Sequence, residues 1–344
     1  MSTDMQDESE IFRGTTTGST RLRDKHSVRG TPKSGMPAFV LGEELADLAD
    51  ADPRIVVATA DLASANRTND FRDRHPNRFI NFSIAEKNMI SAAAGMAATG
   101  LIPYVATFAS FSAILCAEQI KTDCAYPNMK VRIVGSHSGM SMGFYGSSHH
   151  ALEDLGMMRC IADLTVVCAT DANHLRAILR ASIEHDRAMY IRLGRGRDPV
   201  VYDTVPDITF GKAIRLREGS DLTIITCGSQ VRPVLDAAET LAKSGLSVRV
   251  VDMFTLDNID TDEVRAAVAE TGAILTVEEH NLTGGLGSAI GEVLLELPRI
   301  PFLRHGVPDK FVEVGPPAAL YAQYRLDAPG IVEVAQGFVA EISV

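Results

Sequence analysis

The sequence predicts an α/β protein of two domains, in which each domain is a mostly parallel sheet flanked by helices. Apolar strand patterns alternate with helical patterns from residue 38 to residue 193. A connection punctuated by two prolines follows at 199–207, and the alternation then begins again. Strands that alternate with helices form parallel sheets covered on both faces. We therefore expect an irregular, flexible N-terminal arm at 1–35, a first domain at 36–200 and a second domain at 208–344.

The stretch Arg78–Gly100 organises the first domain. Its first part, FINFSI, predicts a buried strand at 79–84, and the apolar spacing after Glu86 predicts a helix that Gly100 ends. The other predicted helices lie at 38–49, 110–123 and 173–184. The other predicted strands lie at 55–58, 104–106, 131–134, 164–168 and 189–193.

The second domain has the same kinds of pattern. Strands are predicted at 213–216, 222–226, 248–251, 273–277 and 311–314. Helices are predicted at 230–242, 261–269, 284–295 and 330–342. The glycine-rich string GGLGSAIG at 284–291 lacks the full GxGxxG spacing and comes late in its domain, so we interpret it as a tightly packed helix start and not as a dinucleotide site.

Composition excludes several classes of protein. The formal charge of −11 argues against binding to nucleic acid or to an anionic membrane surface. No apolar run is long enough to span a bilayer, and the polar N-terminus has no secretory signal, so we expect a cytoplasmic protein. The five scattered cysteines predict buried free thiols at Cys116, Cys168 and Cys227. No metal-ligand spacing is present, and no Asp-rich loop that would hold a metal on a diphosphate.

Polar and aromatic residues collect at the predicted strand ends. In parallel sheets the carboxyl ends of the strands share one edge, where ligands bind. Glu86 stands there among apolar neighbours, where a carboxylate must be neutralised, paired or held for a task. A helix N-terminal acid stabilised by the helix dipole explains Glu86 as well. The residues that share this position are Asp61, Glu86, Phe108, His137, His149 and Arg195.

Several ordered motifs resemble one enzyme family. The strings FINFSIAEKNMISAAAGMAATGLIPYVATFASF, SSHHALEDLGMMR and YIRLGRG, and then TVEEHNLTGGLGSAIGEVLLE in the second domain, resemble the carboxyl-terminal half of a transketolase. The similarity is greatest to the split form, which is made as two separate chains. It covers residues 38–344. The resemblance implies a pyrimidine-binding domain for thiamine diphosphate followed by the family's terminal domain.

The resemblance also implies a partner chain. In this family the other half holds the cofactor's diphosphate and its Mg²⁺ or Ca²⁺, which accounts for the missing metal loop. We therefore expect an α2β2 heterotetramer with an N-terminal, diphosphate-binding subunit. The reaction implied is the transfer of a two-carbon ketol unit between sugar phosphates.

For the cofactor, the resemblance assigns five residues. Glu86 matches the glutamate that hydrogen-bonds N1′ of the aminopyrimidine ring and favours its imino tautomer, whose nitrogen takes the proton from C2 of the thiazolium. Phe108 and Phe111 match the aromatic positions beside the pyrimidine, although two phenylalanines that only pack in the core would give the same sequence pattern. Asp61 and Leu62 match a turn near the thiazolium or the subunit seam, where Asp61 could instead be a helix cap.

For the substrate, the resemblance assigns two histidines and an arginine. His149 matches a catalytic histidine that hydrogen-bonds sugar hydroxyls near C2, and His137 matches one at the phosphate end. Arg195 matches the arginine that binds that phosphate, with Arg192 as the second choice if the turn is shifted. A surface ion pair or solvated side chain is the alternative for each of these residues.

One loop departs from the family's pattern. Ordinary members of this type have an acid that contacts a sugar hydroxyl, and Tyr145 occupies that position here. A phenol is bulkier and uncharged at neutral pH. His150 also replaces a common glutamine. We therefore expect a non-standard sugar phosphate, such as a branched or deoxy sugar, with Tyr145 among the substrate-binding residues.

Two other functions fit the same residues. The β chain of a 2-oxo acid dehydrogenase shares the pyrimidine domain and its glutamate. A non-catalytic paralogue would follow if Tyr145 blocked the substrate channel.

Overall fold

The computed structural model describes residues 37–195 and 198–342. The predicted arm at 1–35 lies outside the described residues. The two-domain α/β prediction is confirmed, because one mostly parallel sheet precedes the connection at 199–207 and a second follows it. Within the described part of the chain, every helix is too short or too polar to span a bilayer.

The first sheet has six strands in the described residues, all parallel, in the order β2-β1-β3-β4-β6-β5. Strands β1, β4 and β5 are buried along their whole length and contain many Val, Ile and Thr residues, as a sheet covered on both faces requires. In chain order the strands are β1 Ile55–Thr59, β2 Phe79–Asn81, β3 Ile102–Phe108, β4 Arg132–Ser136, β5 Leu164–Cys168 and β6 Ala188–Arg192.

Helices cover both faces of this sheet. The helix predicted at 110–123 is irregular, because π-helical turns at Phe111–Leu115 and Ile120–Ala125 flank a single α-helical turn, α4. Such π segments are frequent at functional sites. The α-helices are α1 Pro37–Ala51, α2 Asn69–Arg74, α3 Glu86–Ala98, α4 Cys116–Gln119, α5 Asp154–Arg159 and α6 Ala172–Ser182.

The predicted buried strand at 79–84 is wrong in its extent. Strand β2 ends at Asn81 and is only partly buried, and Ile84 is 81% exposed. Ser83 turns the chain with φ +55°, so the last apolar residues leave the sheet before helix α3 begins. Strand β2 is the edge of the sheet, which explains why its apolar residues are less covered than those of β1.

The second sheet has five strands in the described residues, in the order β11-β10-β8-β9-β7. Only its edge strand β7 runs antiparallel, to β9. The strands are β7 Ile214–Arg217, β8 Leu222–Thr226, β9 Val248–Asp252, β10 Ile274–Asn281 and β11 Phe302–Val307. The helices are α7 Val231–Lys243, α8 Thr261–Glu270, α9 Leu286–Leu294, α10 Pro317–Gln323 and α11 Ala328–Ile342.

The strand predicted at 311–314 is wrong. Phe311 is 83% exposed and Val314 is 66% exposed, in an irregular segment, and the edge strand is β11 instead. The packing interpretation of GGLGSAIG agrees with the structure. The buried carboxylate of Glu278 accepts the N–H groups of Leu286 (2.6 Å) and Gly287 (2.8 Å), so the protein itself caps helix α9.

The prediction of buried free thiols is confirmed. Cys116, Cys168 and Cys227 are buried and free, as is Cys124. Cys160 is exposed.

The second domain covers the edge strand β5 of the first sheet. The Cys168 N–H donates to the Phe254 carbonyl (2.8 Å), and the Leu256 N–H donates to the Val166 carbonyl (2.9 Å). The carboxylate of Asp257 accepts the Val166 N–H at 2.8 Å. The segment after β9 therefore occupies hydrogen-bonding groups that an open edge would leave to water.

Candidate active site

The candidate site lies at the carboxyl ends of β3 and β4. Phe108 is the last residue of β3, and His137 directly follows β4 with φ +57°. The chain then forms a loop from His137 to Ala151, which we call the histidine loop. Backbone hydrogen bonds between Gly139 and Ala151, 3.0 Å in both directions, close this loop at its base.

The histidine loop folds back onto the two phenylalanines. The ring centroids of Phe108 and His137 lie 4.5 Å apart, and those of Phe111 and His149 lie 5.2 Å apart. Phe108 and Phe111 are 5.6 Å apart. Tyr145 stacks on His149 at 4.9 Å and remains half exposed. The structure thus brings together five of the predicted site residues, from the end of β3 and from the histidine loop.

His137 is held as a neutral imidazole. Burial lowers its pKa to about 4, and the guanidinium groups of Arg195 and Arg67 act in the same direction. Its Nδ1 lies 2.9 Å from the Ser136 hydroxyl, which donates to the side chain of Asn66 at 2.7 Å. This chain of contacts fixes the ring beside Phe108.

Glu86 is the first residue of helix α3 and is buried, with 6% of its surface exposed. Among the described residues, no hydrogen bond or ion pair to its carboxylate is found. Its charge acts on a neighbouring thiol: burial, and then the Glu86 charge, raise the pKa of Cys116 to about 12. The carboxylate of this buried residue therefore has no donor within the described residues, so the position fits a group that hydrogen-bonds a ligand.

Asp61 and Leu62 lie at the carboxyl end of β1. Asp61 has φ +58° and is exposed, and its carboxylate accepts from the Asn81 amide at 3.3 Å. It therefore ties the ends of β1 and β2, and it caps none of the helices in the described part of the chain. Leu62 is partly buried beside it, with its N–H on the Thr59 hydroxyl at 3.3 Å.

The two arginines at the carboxyl end of β6 differ sharply. Arg195 donates to the Ser141 carbonyl in the histidine loop at 3.2 Å. Arg192 is 4% exposed and donates to Asp154 at 2.7 Å and to two carbonyls at 3.0 Å. Arg192 is thus a structural cation whose Nε and Nη2 groups bind within the protein, which removes it as the second choice for a substrate anion.

Sequence analysis missed two residues beside His137. Arg67, with φ +57°, and the buried Asn66 belong to the loop that follows β1, the same loop as Asp61. Within the described ranges 37–195 and 198–342, the Asn66 amide nitrogen has no hydrogen-bond partner. A strand-end location was the available signal for both, but neither lies in a motif that the resemblance assigns.

The residues present fit the pyrimidine half of thiamine diphosphate. Glu86 offers a carboxylate to a ring nitrogen, and Phe108 offers a buried aromatic face. Among the described residues, no group of three or more His, Cys, Asp or Glu side chains is arranged to hold a metal ion.

Comparisons with known proteins agree with the fold. The family model "Transketolase, pyrimidine binding domain" matches residues 38–199, and "Transketolase, C-terminal domain" matches residues 211–331. A solved structure described as a split gene transketolase, inactive beta4 tetramer, aligns with TM-score 0.82 and 39% identity, covering 88% of this chain and 97% of that chain.

Two relatives are split subunits of similar length. An apulose-4-phosphate transketolase subunit of Phocaeicola vulgatus is 35% identical, with 86% of this chain and 95% of the relative covered. A 6-deoxy-6-sulfo-D-fructose transketolase subunit of a Clostridium species is 39% identical, with 85% of this chain and 90% of the relative covered. The chain therefore belongs to the transketolase family, as a split-gene subunit that carries the pyrimidine-binding and C-terminal domains.

Proposed function

We propose that this chain supplies the pyrimidine-side half of a thiamine-diphosphate active site, which transfers a two-carbon ketol unit between sugar phosphates. The observation that carries the proposal is the buried Glu86 carboxylate, which meets no donor among the described residues and lies at the strand edge that also holds Phe108. The transketolase relatives favour this function over the β chain of a 2-oxo acid dehydrogenase. The cofactor, when bound, supplies the carbanion chemistry.

Each site residue has a role that its surroundings support. Glu86 hydrogen-bonds N1′ of the aminopyrimidine ring and controls its tautomer. Phe108 and Phe111 pack against that ring. Asp61 and Leu62 border the thiazolium side or the seam with the partner. His149 contacts the sugar hydroxyls near the reacting carbon.

The phosphate end of the sugar binds at a different part of the histidine loop from His149. His137 and Arg195 contact the phosphate, and Arg67 adds a second positive charge close to His137. Since His137 is neutral at physiological pH, the two guanidinium groups supply the charge there.

The sugar is a non-standard one. Tyr145 stands over His149 with its phenol partly in solvent, where an ordinary member has an acid. A phenol cannot offer a charged acceptor to a sugar hydroxyl, and it fills more space. Two relatives bear the names of apulose 4-phosphate and 6-deoxy-6-sulfo-D-fructose, and neither name denotes an ordinary pentose phosphate.

A partner subunit completes the site. It carries the diphosphate site with Mg²⁺ or Ca²⁺ and assembles with this chain as an α2β2 heterotetramer. Three apolar side chains support this arrangement, because Ile84, Ile114 and Leu115, on the segments that carry Glu86 and Phe111, are 81%, 51% and 45% exposed. The chain also spans only 52% of a 1-deoxy-D-xylulose-5-phosphate synthase relative.

The isolated chain is expected neither to bind thiamine diphosphate tightly nor to turn over. Calorimetry with thiamine diphosphate and Mg²⁺ tests the binding. Addition of the diphosphate-binding subunit from the same genome should restore both binding and activity with ketose phosphates, but not with 2-oxo acids. Tight, magnesium-dependent binding by the isolated chain would contradict the division of the site, and activity with 2-oxo acids alone would favour the dehydrogenase function.

Replacing Tyr145 by Asp is expected to favour ordinary pentose phosphates. A hydrogen bond to a charged group contributes roughly 1.5–3 kcal/mol, so the ratio of kcat/KM for a pentose phosphate to that for a deoxy or branched ketose phosphate should rise about 10- to 100-fold. The ratio is measured on the reconstituted pair with the same two donors. Tyr145→Phe is the matched control, because it keeps the ring on His149 and adds no charge. An unchanged ratio in Tyr145→Asp would mean that residue 145 takes no part in recognising the sugar.

A further inference from the structure

One carboxylate of the second domain reaches into the histidine loop of the first. Glu279 lies in strand β10 and is 3% exposed. Its Oε1 accepts the N–H of Met140 at 2.7 Å and the phenol O–H of Tyr321. Its Oε2 accepts the Ser229 hydroxyl at 2.7 Å. Glu279 is therefore fixed by its own domain through Tyr321 and Ser229, while it holds the backbone of the other domain.

The start of the histidine loop is shaped around this carboxylate. Gly139 has φ +60°, a backbone conformation that side chains other than glycine rarely adopt. A Cβ at Gly139 would also collide with the carboxyl carbon of Glu279. The backbone at residue 139 can lie against the Glu279 carboxylate and still hydrogen-bond Ala151 only because glycine has no side chain.

The end of the histidine loop is tied to the same residue. Arg192 donates from Nη2 to the backbone carbonyl of Glu279 and to that of Ala151, both at 3.0 Å. Met140, near the start of the loop, and Ala151, at its end, are thus both connected to residue 279. None of these contacts touches the groups assigned to the cofactor, Glu86 and Phe108.

We propose that Glu279 is a positioning residue, through which the C-terminal domain sets where the histidine loop holds His137, Tyr145 and His149. The carboxylate contacts no substrate in this arrangement. It acts through the Met140 N–H, whose hydrogen bond to Oε1 of Glu279 at 2.7 Å fixes the base of the loop. This gives the second domain a part in substrate binding, and that part of the inference rests on the proposed function.

Hydrogen–deuterium exchange on the full chain tests whether Glu279 holds the histidine loop in place. In Glu279→Ala we expect the amides of residues 138–152 to exchange about 10- to 100-fold faster, because the Met140 N–H loses its acceptor in the second domain. Glu279→Gln keeps one acceptor oxygen and a similar volume, so it should fold and show a smaller increase. Glu278→Ala is the matched control: Glu278 is equally buried, but its carboxylate caps helix α9. Its faster exchange should concentrate at 284–294.

Kinetics of the reconstituted pair then test the consequence for the substrate. In Glu279→Gln we expect a higher KM for the ketose phosphate and unchanged affinity for thiamine diphosphate, a split that a general loss of stability would not produce. Unchanged exchange of the loop in both Glu279 variants, or equal loosening in Glu278→Ala, would overturn the proposal. A loosened loop with an unchanged KM would support the hold by Glu279 and count against the substrate roles of His137 and His149.

Discussion

Replacing Glu86 by Gln is expected to lower the turnover of the reconstituted enzyme by about 10²- to 10⁴-fold while the fold persists. The amide cannot exchange a proton with a ring nitrogen as a carboxyl group does, so control of the cofactor's tautomer is lost. The fold should persist because the Glu86 carboxylate makes no hydrogen bond to the described residues that Gln would break. Initial rates with saturating thiamine diphosphate and the partner subunit give the effect on turnover.

The control for Glu86→Gln is a change of the same type at a solvent-exposed acid. Glu184, whose side chain is 80% exposed, lies beyond the end of helix α6 and pairs only with Arg54 among the described residues. Glu184→Gln should leave turnover unchanged. Near-normal turnover in Glu86→Gln, with circular dichroism showing both variants folded, would contradict the assigned role.

Replacing Asp154 by Ala is expected to destabilise the protein by roughly 3–5 kcal/mol. Asp154 is 1% exposed, and its carboxylate accepts Arg192 Nε at 2.7 Å and the Tyr190 hydroxyl at 2.9 Å. Without it, the guanidinium of Arg192 stays buried with only carbonyl partners. The free energy of unfolding, from urea denaturation, measures the loss.

A surface ion pair provides the comparison for Asp154→Ala. Glu292 is 63% exposed and pairs with Arg159 at 2.6 Å, so Glu292→Ala should cost at most about 1 kcal/mol. The double variant Asp154→Leu with Arg192→Met should recover part of the stability, because no charge is then buried unpaired. Equal losses in Asp154→Ala and Glu292→Ala would contradict the account of the buried pair.

The central strands and the longer helices of both domains could be predicted because their apolar runs are also buried runs, whereas the short helices α2, α5 and α10 had no predicted counterpart. Prediction failed at the edge strands and in the irregular segments next to them. The apolar residues at 311–314 suggest a strand, yet they are exposed, whereas strand β11 contains Arg304, His305 and Gly306 and gives no strand pattern. Ile84 was likewise predicted to lie in a buried strand, and it is exposed. At an edge, neighbours far along the chain decide which residues pair, and a local pattern does not contain that information.

In the candidate site, too, residues in local motifs could be predicted, and contacts between distant residues could not. The resemblance named residues in strand-end motifs, and the structure brings Phe108, His137 and His149 into one cluster. The resemblance could not identify Arg67, which lies outside those motifs. It also could not identify the hydrogen bond from the Met140 N–H to Glu279, because these residues are 139 positions apart in the chain. Contacts between domains follow from how the two sheets pack against each other, and no spacing within one segment predicts them.

The hydrogen bonds that the Phe254–Asp257 segment makes to strand β5 also bear on how genes for such proteins can be rearranged. A shortened gene that ended at the connection 199–207 would encode a sheet with an unpaired, apolar edge at β5, which is a template for aggregation. An exchange of the second domain for another would succeed only if the incoming domain supplied an equivalent segment. The first domain therefore depends on the second for a covered sheet edge, although each has its own sheet.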